Sequence, residues 1–464
     1  MTISESIQAR AQQLCQVAQQ IWEYAEVAFQ ETKSASLLCD VLEAEGFRVT
    51  RGAGGIETAF VAEYGSGKPV IGLCAEYDAL AGLSQTVDTQ AHPQENGAPG
   101  HGCAHNLLGT GSLAAALAVK DVLSSTGQSG TIRLFGTPAE EVLLGKPLMV
   151  HAGLFEGTDA MIGWHPDHFN AVMESRTTAM CSVKFHYHGV AAHAAIDPYD
   201  GRSALDAVEL LNISANYLRE HIRPGSTIHY SPIIKEFPPN VVPDTSSVWY
   251  FVRATDTKTV KEIYNRLARC ANAAAEMTDT TCETEFLGGC SDYLPNRTLE
   301  KVLWEELEHS HPVTYTDEDQ RFISGITQTM SSFLAPTQKR LMDLYGIDAS
   351  DKLICDFVVP LSEKRRASLV QGSMDIGDVS YLMPTVYLSV TCCGFAVPSH
   401  SWPLVAYANH PVGKKGMLRG GEVMGSMALR LMQDPQLLKA AQDELHQATK
   451  DSPYIPLLPD QYNH

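Results

Sequence analysis

The sequence is poor in positive charge. Its 464 residues contain 34 Lys and Arg against 54 Asp and Glu, which gives a net charge of −20. An acidic surface repels nucleic acid and anionic membranes, so we expect neither of them as a partner. A small anionic substrate is not excluded, because a local basic pocket can lie on an acidic protein.

An export signal and a membrane-spanning run are also missing. The N-terminal stretch MTISESIQARAQQLCQ lacks the basic start and the apolar segment of a signal peptide, and no apolar run approaches the roughly 20 residues that cross a bilayer. The 11 cysteines show no regular spacing, which is typical of reduced thiols. We therefore expect a cytoplasmic protein in which a functional cysteine binds metal rather than forming a disulfide.

Short apolar runs alternate with helical segments in much of the chain. PVIGLCA (69–75), GTIRLFG (130–136), DAMIGW (159–164) and TVYLSVTCCGF (385–395) are typical of buried strands. Helices are predicted from Glu5 to about Gly46 and over 107–123. This alternation predicts an α/β fold with a mostly parallel, doubly wound sheet.

The middle of the chain has a different pattern. Residues 176–290 read as strand, helix, two strands, helix and strand, which is the order of the ferredoxin-like α+β unit. Because 464 residues exceed one typical core, we expect two domains. Residues 176–290 would be inserted into a discontinuous domain of 1–175 and 291–464, and the proline-rich end, 453–464, would be a loose tail.

Residues able to bind metal lie at or just past the ends of the predicted strands. Each alone has an ordinary alternative: a small buried cysteine, acids in the first turn of a helix, or a satisfied core histidine. Together they occupy the strand ends where open α/β sheets bind ligands, and they predict a metal centre. The set is Cys103, His105, Glu141, His165 and His400, with Glu140 adjacent.

Five ligands exceed the three that are typical of a single catalytic zinc, so we predict two metal ions. Thiolate and imidazole ligands favour zinc, whereas carboxylate also suits manganese. Glu140 then remains as a general base that takes a proton from water. His101 is a rival ligand, but it precedes the cluster and we do not include it.

Nine motifs resemble those of the M20 metallopeptidases, in the amidohydrolase-like branch that includes indoleacetyl-amino-acid hydrolases. They are EYDALAGLSQ, GHGCAHNLLGT, AEE, WHPD, GVAAHAAIDPYDGRSALDAV, NVVPD, LPNRTLE, GSMDIGDVS and SHSW, and the resemblance extends to about Met432. It implies a two-metal catalytic domain interrupted by a dimerisation or lid domain, with the same five ligands and Glu140 as base. It also implies that Asp78 orients a metal-bound histidine, although Asp78 alone reads equally well as a turn or cap residue.

The resemblance also implies residues that contact the substrate. His193 matches a histidine that reaches the active site of the partner subunit and stabilises the oxyanion. Asn240 and Arg253 match residues that bind a terminal carboxylate, a task that suits the planar guanidinium group. From the residues alone, His193 would be a loop histidine and Arg253 a surface charge at a strand end.

Three positions depart from the patterns of related branches. Ala104 and Val142 replace the glycines of the usual CGH and EEG motifs. Glu76 stands where other M20 branches have their first histidine ligand, so the metal set is that of the cysteine-containing branch. The segment FAVPSH before the last histidine also differs from the pattern of its relatives, so the motifs do not fix the substrate.

We therefore expect an enzyme that hydrolyses the amide of an N-acyl or N-aroyl amino acid with two Zn or Mn ions. It would release an acidic amino acid and would work as a homodimer or with a related hydrolase subunit. The alternative within the same fold is an indoleacetyl-aspartate-type or general N-acylamino-acid hydrolase. The alternative of another class is a non-catalytic partner subunit, which the complete ligand set weighs against.

Overall fold

The computed structural model describes residues 1–233 and 236–458. The chain begins with α1 (Ile3–Tyr24), α2 (Thr32–Ala44), β1 (Arg48–Arg51), β2 (Phe60–Ser66), β3 (Val70–Ala75), α3 (His105–Thr126), β4 (Gly130–Gly136), α4 (Gly145–His151), β5 (Ala160–Asp167), β6 (Ala171–Val172) and β7 (Arg176–Thr177). The middle part consists of β8 (Ala179–His188), α5 (Ala204–Leu218), β9 (Thr227–Ile233), β10 (Thr245–Ala254), α6 (Thr257–Met277) and β11 (Thr281–Cys290). The last part consists of α7 (Arg297–His309), α8 (Asp317–Thr329), α9 (Leu334–Tyr345), α10 (Glu363–Arg366), β12 (Leu369–Val370), α11 (Ile376–Ser380), β13 (Thr385–Thr391), α12 (Trp402–Asn409), α13 (Pro411–Gln433) and α14 (Pro435–Thr449).

A seven-stranded sheet in the order β1-β2-β4-β3-β5-β13-β6 joins the first and last parts of the chain. Its inner strands β4, β3, β5 and β13 are parallel, as the apolar runs predict. β1, β2 and β6 pair antiparallel at the two edges. The sequence does not predict the edge strand β1 or its neighbour β2, because exposed and partly exposed side chains interrupt their apolar pattern.

The inner strands are buried on both faces, so their side chains alternate between two cores. Ile71 and Leu73 of β3 belong to the core that contains α1, α3 and α13. Cys74 points to the opposite core, where it packs with Met149 of α4 and Ile376 of α11. Helices cover both faces, which confirms the doubly wound architecture.

α3 is the one helix of the described chain that is long and apolar enough to cross a membrane, but 83% of its apolar window is buried within the fold. A close approach between Gly111 and Trp164 fixes its position on β5. A methyl group at Gly111 would lie 2.5 Å from the Trp164 ring, so only glycine fits there. This contact places the start of α3 near His165, the residue after Trp164.

The middle part forms a separate four-stranded antiparallel sheet in the order β11-β8-β10-β9. α5 and α6 cover one face, where Val183, Phe185 and Tyr187 of β8 are buried. Lys184 and His186, which alternate with them, are partly exposed on the other face. The β-α-β-β-α-β order and its ferredoxin-like sheet are as the sequence predicts.

Several local predictions differ from the structure. The predicted helix from Glu5 to Gly46 is two helices, because the chain turns out of α1 at Ala25 with a left-handed φ of 42°. β5 continues to Asp167, so His165 lies within the strand rather than after it; parallel pairing with β13 extends the strand this far. β13 itself ends at Thr391, and His400 lies in the following loop.

The prediction of a loose tail is wrong for the described part of the C-terminal segment. The Tyr454 hydroxyl donates to Asp378 Oδ1 at 2.7 Å. Leu457 and Leu458 are buried against the core of the middle unit. Apolar burial therefore anchors this segment despite its prolines, while residues 459–464 lie outside the described residues.

Candidate metal centre

The predicted ligands come from four segments that meet beyond the carboxyl ends of β3, β4 and β5. Cys103 and His105 lie at the start of α3, and Glu141 lies in a 3-10 turn after β4. His165 lies near the end of β5, and His400 precedes α12. Parallel strands bring their carboxyl ends to one edge of the sheet, which explains why distant segments converge here.

The potential metal ligands form three groups; two of them share Cys103, and the third consists of Glu76, His105 and Glu140. Cys103 Sγ lies 3.3 Å from His165 Nε2, and both form one group with His105. Cys103 also forms a second group with Glu141 and His400, in which His400 Nε2 lies 3.5 Å from Glu141 Oε2. The ligand atoms within each group lie within 4.8 Å of one another. Two three-ligand groups that share a thiolate suit a pair of neighbouring metal ions.

Some of these ligand atoms are buried without a protein partner. Within the described chain, His105 Nε2 and Glu141 Oε1 have no hydrogen-bond partner. Because buried polar atoms almost always have one, these atoms point to a missing ligand. Thiolate, imidazole and carboxylate donors are those that zinc and manganese bind, so the residues fit divalent metal ions.

The electrostatics of the cluster also favour a cation. Burial lowers the pKa of His165 and His400, and nearby His105 lowers each of them further. Both rings therefore favour the neutral form, which is the form that binds metal. Burial raises the pKa of the Cys103 thiol, and Glu141 adds to this effect. A thiolate at this position consequently needs a cation beside it.

Asp78 bonds to two parts of the centre. Its Oδ1 lies 2.8 Å from His105 Nδ1, and its Oδ2 accepts the backbone N–H of Glu141 at 2.9 Å. Burial acts to raise the pKa of Asp78, but His105 holds it below its usual value. The contact with Nδ1 leaves His105 Nε2 free to face the ligand groups, which is the orienting arrangement implied by the resemblance.

Glu140 lies at the side of the cluster. Its Oε2 is 3.8 Å from His105 Nε2. Burial raises the pKa of Glu140 well above its usual value, and the carboxyl groups of Glu76 and Asp375 add to this effect. A carboxyl group with a raised pKa beside a cation site is suited to accept a proton and return it.

A buried lysine that the sequence analysis missed lies behind Glu76. Lys146 Nζ donates to Glu76 Oε1 at 2.7 Å and also pairs with Asp375. All three side chains are buried, and Glu76 Oε2 lies 3.4 Å from His105 Nε2. Two features of the sequence could have predicted this ion pair: a lysine in an apolar helical stretch, and Asp375 in the GSMDIGDVS motif.

Left-handed backbone at residues other than glycine shapes the centre. Ala104 (φ 61°) turns the chain between Cys103 and His105, Ala139 (φ 58°) precedes the two glutamates, and His400 (φ 53°) is itself left-handed. Each such residue costs about 1–2 kcal/mol, and strained residues of this kind concentrate at functional sites. Ala104 thus keeps the conformation that the usual glycine adopts freely.

The structure does not bring the three predicted substrate-binding residues into contact with this cluster. His193 and Asn240 are exposed neighbours on the middle unit, where the N–H of Ala194 donates to Asn240 O at 2.9 Å. Arg253 is partly buried and donates to Ser373 Oγ at 2.6 Å. In the described chain, no hydrogen bond or ion pair joins them to the ligand groups.

His101 belongs to neither ligand group. Its Nε2 lies 3.0 Å from the carbonyl oxygen of Ile21, at the end of α1. Burial lowers the pKa of His101 to about 4, so the ring is neutral. The structure gives it a packing position beside the centre, in agreement with its omission from the predicted ligands.

Among known proteins, one similar protein of almost the same length matches nearly the whole chain. One of the subunits of p-aminobenzoyl-glutamate hydrolase from Escherichia coli (strain K12) is 39% identical over 465 residues, 97% of this chain and 96% of that protein. The chain belongs to the M20 peptidase family. A family model for the M20 peptidase dimerisation domain also matches residues 177–279. The M20 resemblance of the sequence motifs is therefore confirmed.

Other proteins match with a lower sequence identity or over a shorter length. Xaa-Arg dipeptidase of Mus musculus is 32% identical over 314 residues, 64% of this chain and 68% of that protein. A Bacillus subtilis structure, described as a dinuclear metal-binding peptidase of the M20 family, aligns with a TM-score of 0.54 and 15% identity over 92% of this chain and 99% of that one. This chain is an M20 hydrolase that acts on amide bonds, and its groups of potential ligands fit divalent metal ions.

Proposed function

We propose that this M20 hydrolase is a dinuclear amidohydrolase that cleaves an N-acyl or N-aroyl amino acid such as p-aminobenzoyl-glutamate. The products are a carboxylic acid and an amino acid, which we expect to be acidic. The observation that carries the proposal is the position of Cys103, which is common to two of the three groups of potential ligands. The name of the 39% identical relative supports the choice of substrate.

The residues that would hold the two ions are Cys103, His105, Glu141, His165 and His400. When bound, zinc or manganese polarises an amide carbonyl and lowers the pKa of a bound water. Asp78 keeps the His105 ring oriented through its 2.8 Å contact with Nδ1. The chain itself supplies the proton transfer and the substrate contacts.

Glu140 is the proposed general base and acid. It takes a proton from the attacking water and returns it to the nitrogen of the leaving amino acid. Its raised pKa supports this role, because the protonated form must persist between the two transfers. Glu141 next to it would remain a metal ligand, since its Oε1 is buried without a protein partner.

Substrate binding would involve the inserted unit. The Arg253 guanidinium bonds to Ser373 through one nitrogen, and its fork retains N–H groups for a carboxylate. We assign Arg253 and Asn240 to the terminal carboxylate of the substrate, and the partner's His193 to the oxyanion. The exposure of His193 on this unit supports a role toward a second chain.

The assembly would be a homodimer through the inserted unit or a complex with a related hydrolase subunit. The second possibility is supported by the name of the Escherichia coli relative, which describes that protein as a subunit. We propose 176–290 as the inserted dimerisation or lid unit, and 1–175 with 291–464 as the catalytic unit. We also propose that the protein works in the cytoplasm.

Activity of reconstituted protein tests this function. The chain is stripped of metal, reloaded with Zn or Mn, and given p-aminobenzoyl-glutamate, indoleacetyl-aspartate and acylated neutral amino acids. We expect two ions per chain and the highest kcat/KM on an acylated acidic amino acid. Glu140→Gln should keep the metal and lower kcat by about 10²–10⁴-fold, the range for general acid–base catalysis.

Three results would separate the alternatives. A preference for indoleacetyl-aspartate or neutral amino acids would favour the second enzyme hypothesis. Less than one metal per chain and no amidase activity would contradict the proposal and favour a non-catalytic subunit. Residual activity in Cys103→Asp would support a ligand role for Cys103 over a role as nucleophile, because aspartate binds metal but is a poor substitute for a nucleophilic thiol.

A further inference from the structure

The loop that carries Glu140 and Glu141 needs support from outside itself. It joins β4 to α4, and its backbone is left-handed both at Ala139 (φ 58°) and at Leu143 (φ 54°). This conformation is unfavourable for any residue with a side chain, so the loop would relax without external contacts. Any relaxation would move the proposed base away from the ligand groups.

One such contact comes from Glu31, the residue before α2. Its side chain is fully buried, but it does not cap the helix. Instead, Glu31 Oε1 accepts the backbone N–H of Ala139 at 2.9 Å. No hydrogen bond or ion pair with a cationic side chain joins Glu31 within residues 1–233 and 236–458. Burying a carboxyl group without a cationic partner costs free energy, and the N–H of Ala139 offsets part of this cost.

The bond to Ala139 lies immediately before the base. On the other side, Asp78 Oδ2 accepts the N–H of Glu141 at 2.9 Å. The peptide groups on both sides of Glu140 are therefore fixed by buried carboxyl groups from two different segments. Asp78 also touches His105, whereas Glu31 supports the loop without a contact to that ring.

We propose that Glu31 is a positioning residue for Glu140. By accepting the N–H of Ala139, it holds the left-handed turn that directs Glu140 toward the metal centre. This inference rests on the proposed role of Glu140 as the base. Glu31 would then affect the rate of the reaction although it touches neither metal ligands nor the reacting atoms.

The test compares Glu31→Gln and Glu31→Ala in the metal-loaded enzyme, alone and combined with Ala139→Gly. Glutamine keeps an oxygen that accepts the N–H, so kcat should stay within about 3-fold of wild type. Alanine removes the acceptor, and kcat should fall about 100-fold with KM and bound metal unchanged, since a shift of about 1 Å has this effect. Glycine adopts the left-handed turn freely, so Glu31→Ala/Ala139→Gly should recover about 10-fold. A general loss of structure would not be rescued in this way.

Glu300→Gln is the matched control, because Glu300 is equally buried but bonds to Arg297 on α7. Its kcat should remain within about 3-fold of wild type. Hydrogen exchange of peptides covering 137–144 gives a readout that does not depend on activity. Exchange should be faster in Glu31→Ala than in wild type and Glu31→Gln. If Glu31→Ala does not fold, Glu31→Asp, which withdraws the carboxylate by one methylene, should show the same faster exchange.

The proposal is overturned if Glu31→Ala keeps its kcat, or if Glu31→Gln is as slow as Glu31→Ala. It is also overturned if the exchange of 137–144 is unchanged in the alanine or aspartate variant. A wild-type enzyme without amidase activity would refute the proposed function instead. The exchange comparison would still decide the role of Glu31.

Discussion

Replacing Gly288 by alanine should slow the enzyme without unfolding it. Gly288 lies at a β-bulge of β11, where the inserted unit contacts the loop that follows Glu141. An added methyl group would lie 2.2 Å from the carbonyl oxygen of Val142. A carbon–oxygen contact needs about 3.3 Å, so the loop or the strand must move by about 1 Å. The N–H of Gly289 also donates to Leu143 O at 3.0 Å, so the two segments cannot separate without losing a hydrogen bond.

A displacement of this size next to Glu141 should lower kcat about 100-fold with little change in KM. The overpacking should also lower the free energy of unfolding by about 1–3 kcal/mol, which leaves a typical enzyme folded. The assays are steady-state hydrolysis by metal-loaded protein and urea unfolding. Gly372→Ala is the control, because its new methyl would lie 3.7 Å from Val370 in ordinary contact. A Gly288→Ala enzyme with kcat within about 3-fold of wild type would refute the reasoning.

Cys103→Ala should bind fewer than two metal ions per chain by elemental analysis, because the two ligand groups that contain Cys103 each lose a donor; two bound ions in this variant would contradict the shared-thiolate arrangement. Lys146→Met leaves two buried carboxyl groups unpaired and should lower the free energy of unfolding by about 3–5 kcal/mol in urea. Lys439→Met, whose side chain is 73% exposed, should change it by less than about 0.5 kcal/mol; equal effects of the two lysine variants would refute the prediction. Burial raises the pKa of Glu31 from 4.5 to about 7, so folding favours its protonated form. The free energy of unfolding should therefore fall as pH rises from 4.5 to 7, by at most about 3 kcal/mol. Glu31→Gln should remove this part of the slope in urea unfolding at several pH values, and an unchanged slope would contradict it.

The inner strands and the ligand set are the parts that the sequence predicts well. Six-to-eight-residue apolar runs bounded by turns identify β3, β4 and β5, because strands buried on both faces need apolar side chains throughout. Once the strands are parallel, their carboxyl ends share one edge. Cys103, Glu141 and His165 can therefore be grouped from the sequence, although they are far apart in the chain.

Buried charges are the parts that the sequence does not reveal. Glu31 and Lys146 look like ordinary surface residues, because their environment is set by packing between distant segments. The edge strand β1 and its neighbour β2 carry exposed and partly exposed side chains, so neither has a continuous apolar run. The sequence does not predict that the C-terminal segment is anchored. The burial of Leu457 and Leu458 depends on the surface of the middle unit, which the local sequence does not show.

The C-terminal segment has a mechanical consequence for the inserted unit. The chain enters this unit at β8 and leaves it at β11. Because these two strands pair, the two connections to the rest of the chain lie side by side. Leu457 and Leu458 also pack against the core of this unit, and Tyr454 bonds to Asp378, which accepts the N–H of Ser291 directly after β11. If the unit rotates relative to the rest of the chain, either Leu457 and Leu458 become exposed to water or the C-terminal segment moves with the unit. Protease sensitivity of residues 451–458 would therefore report how far the unit has turned.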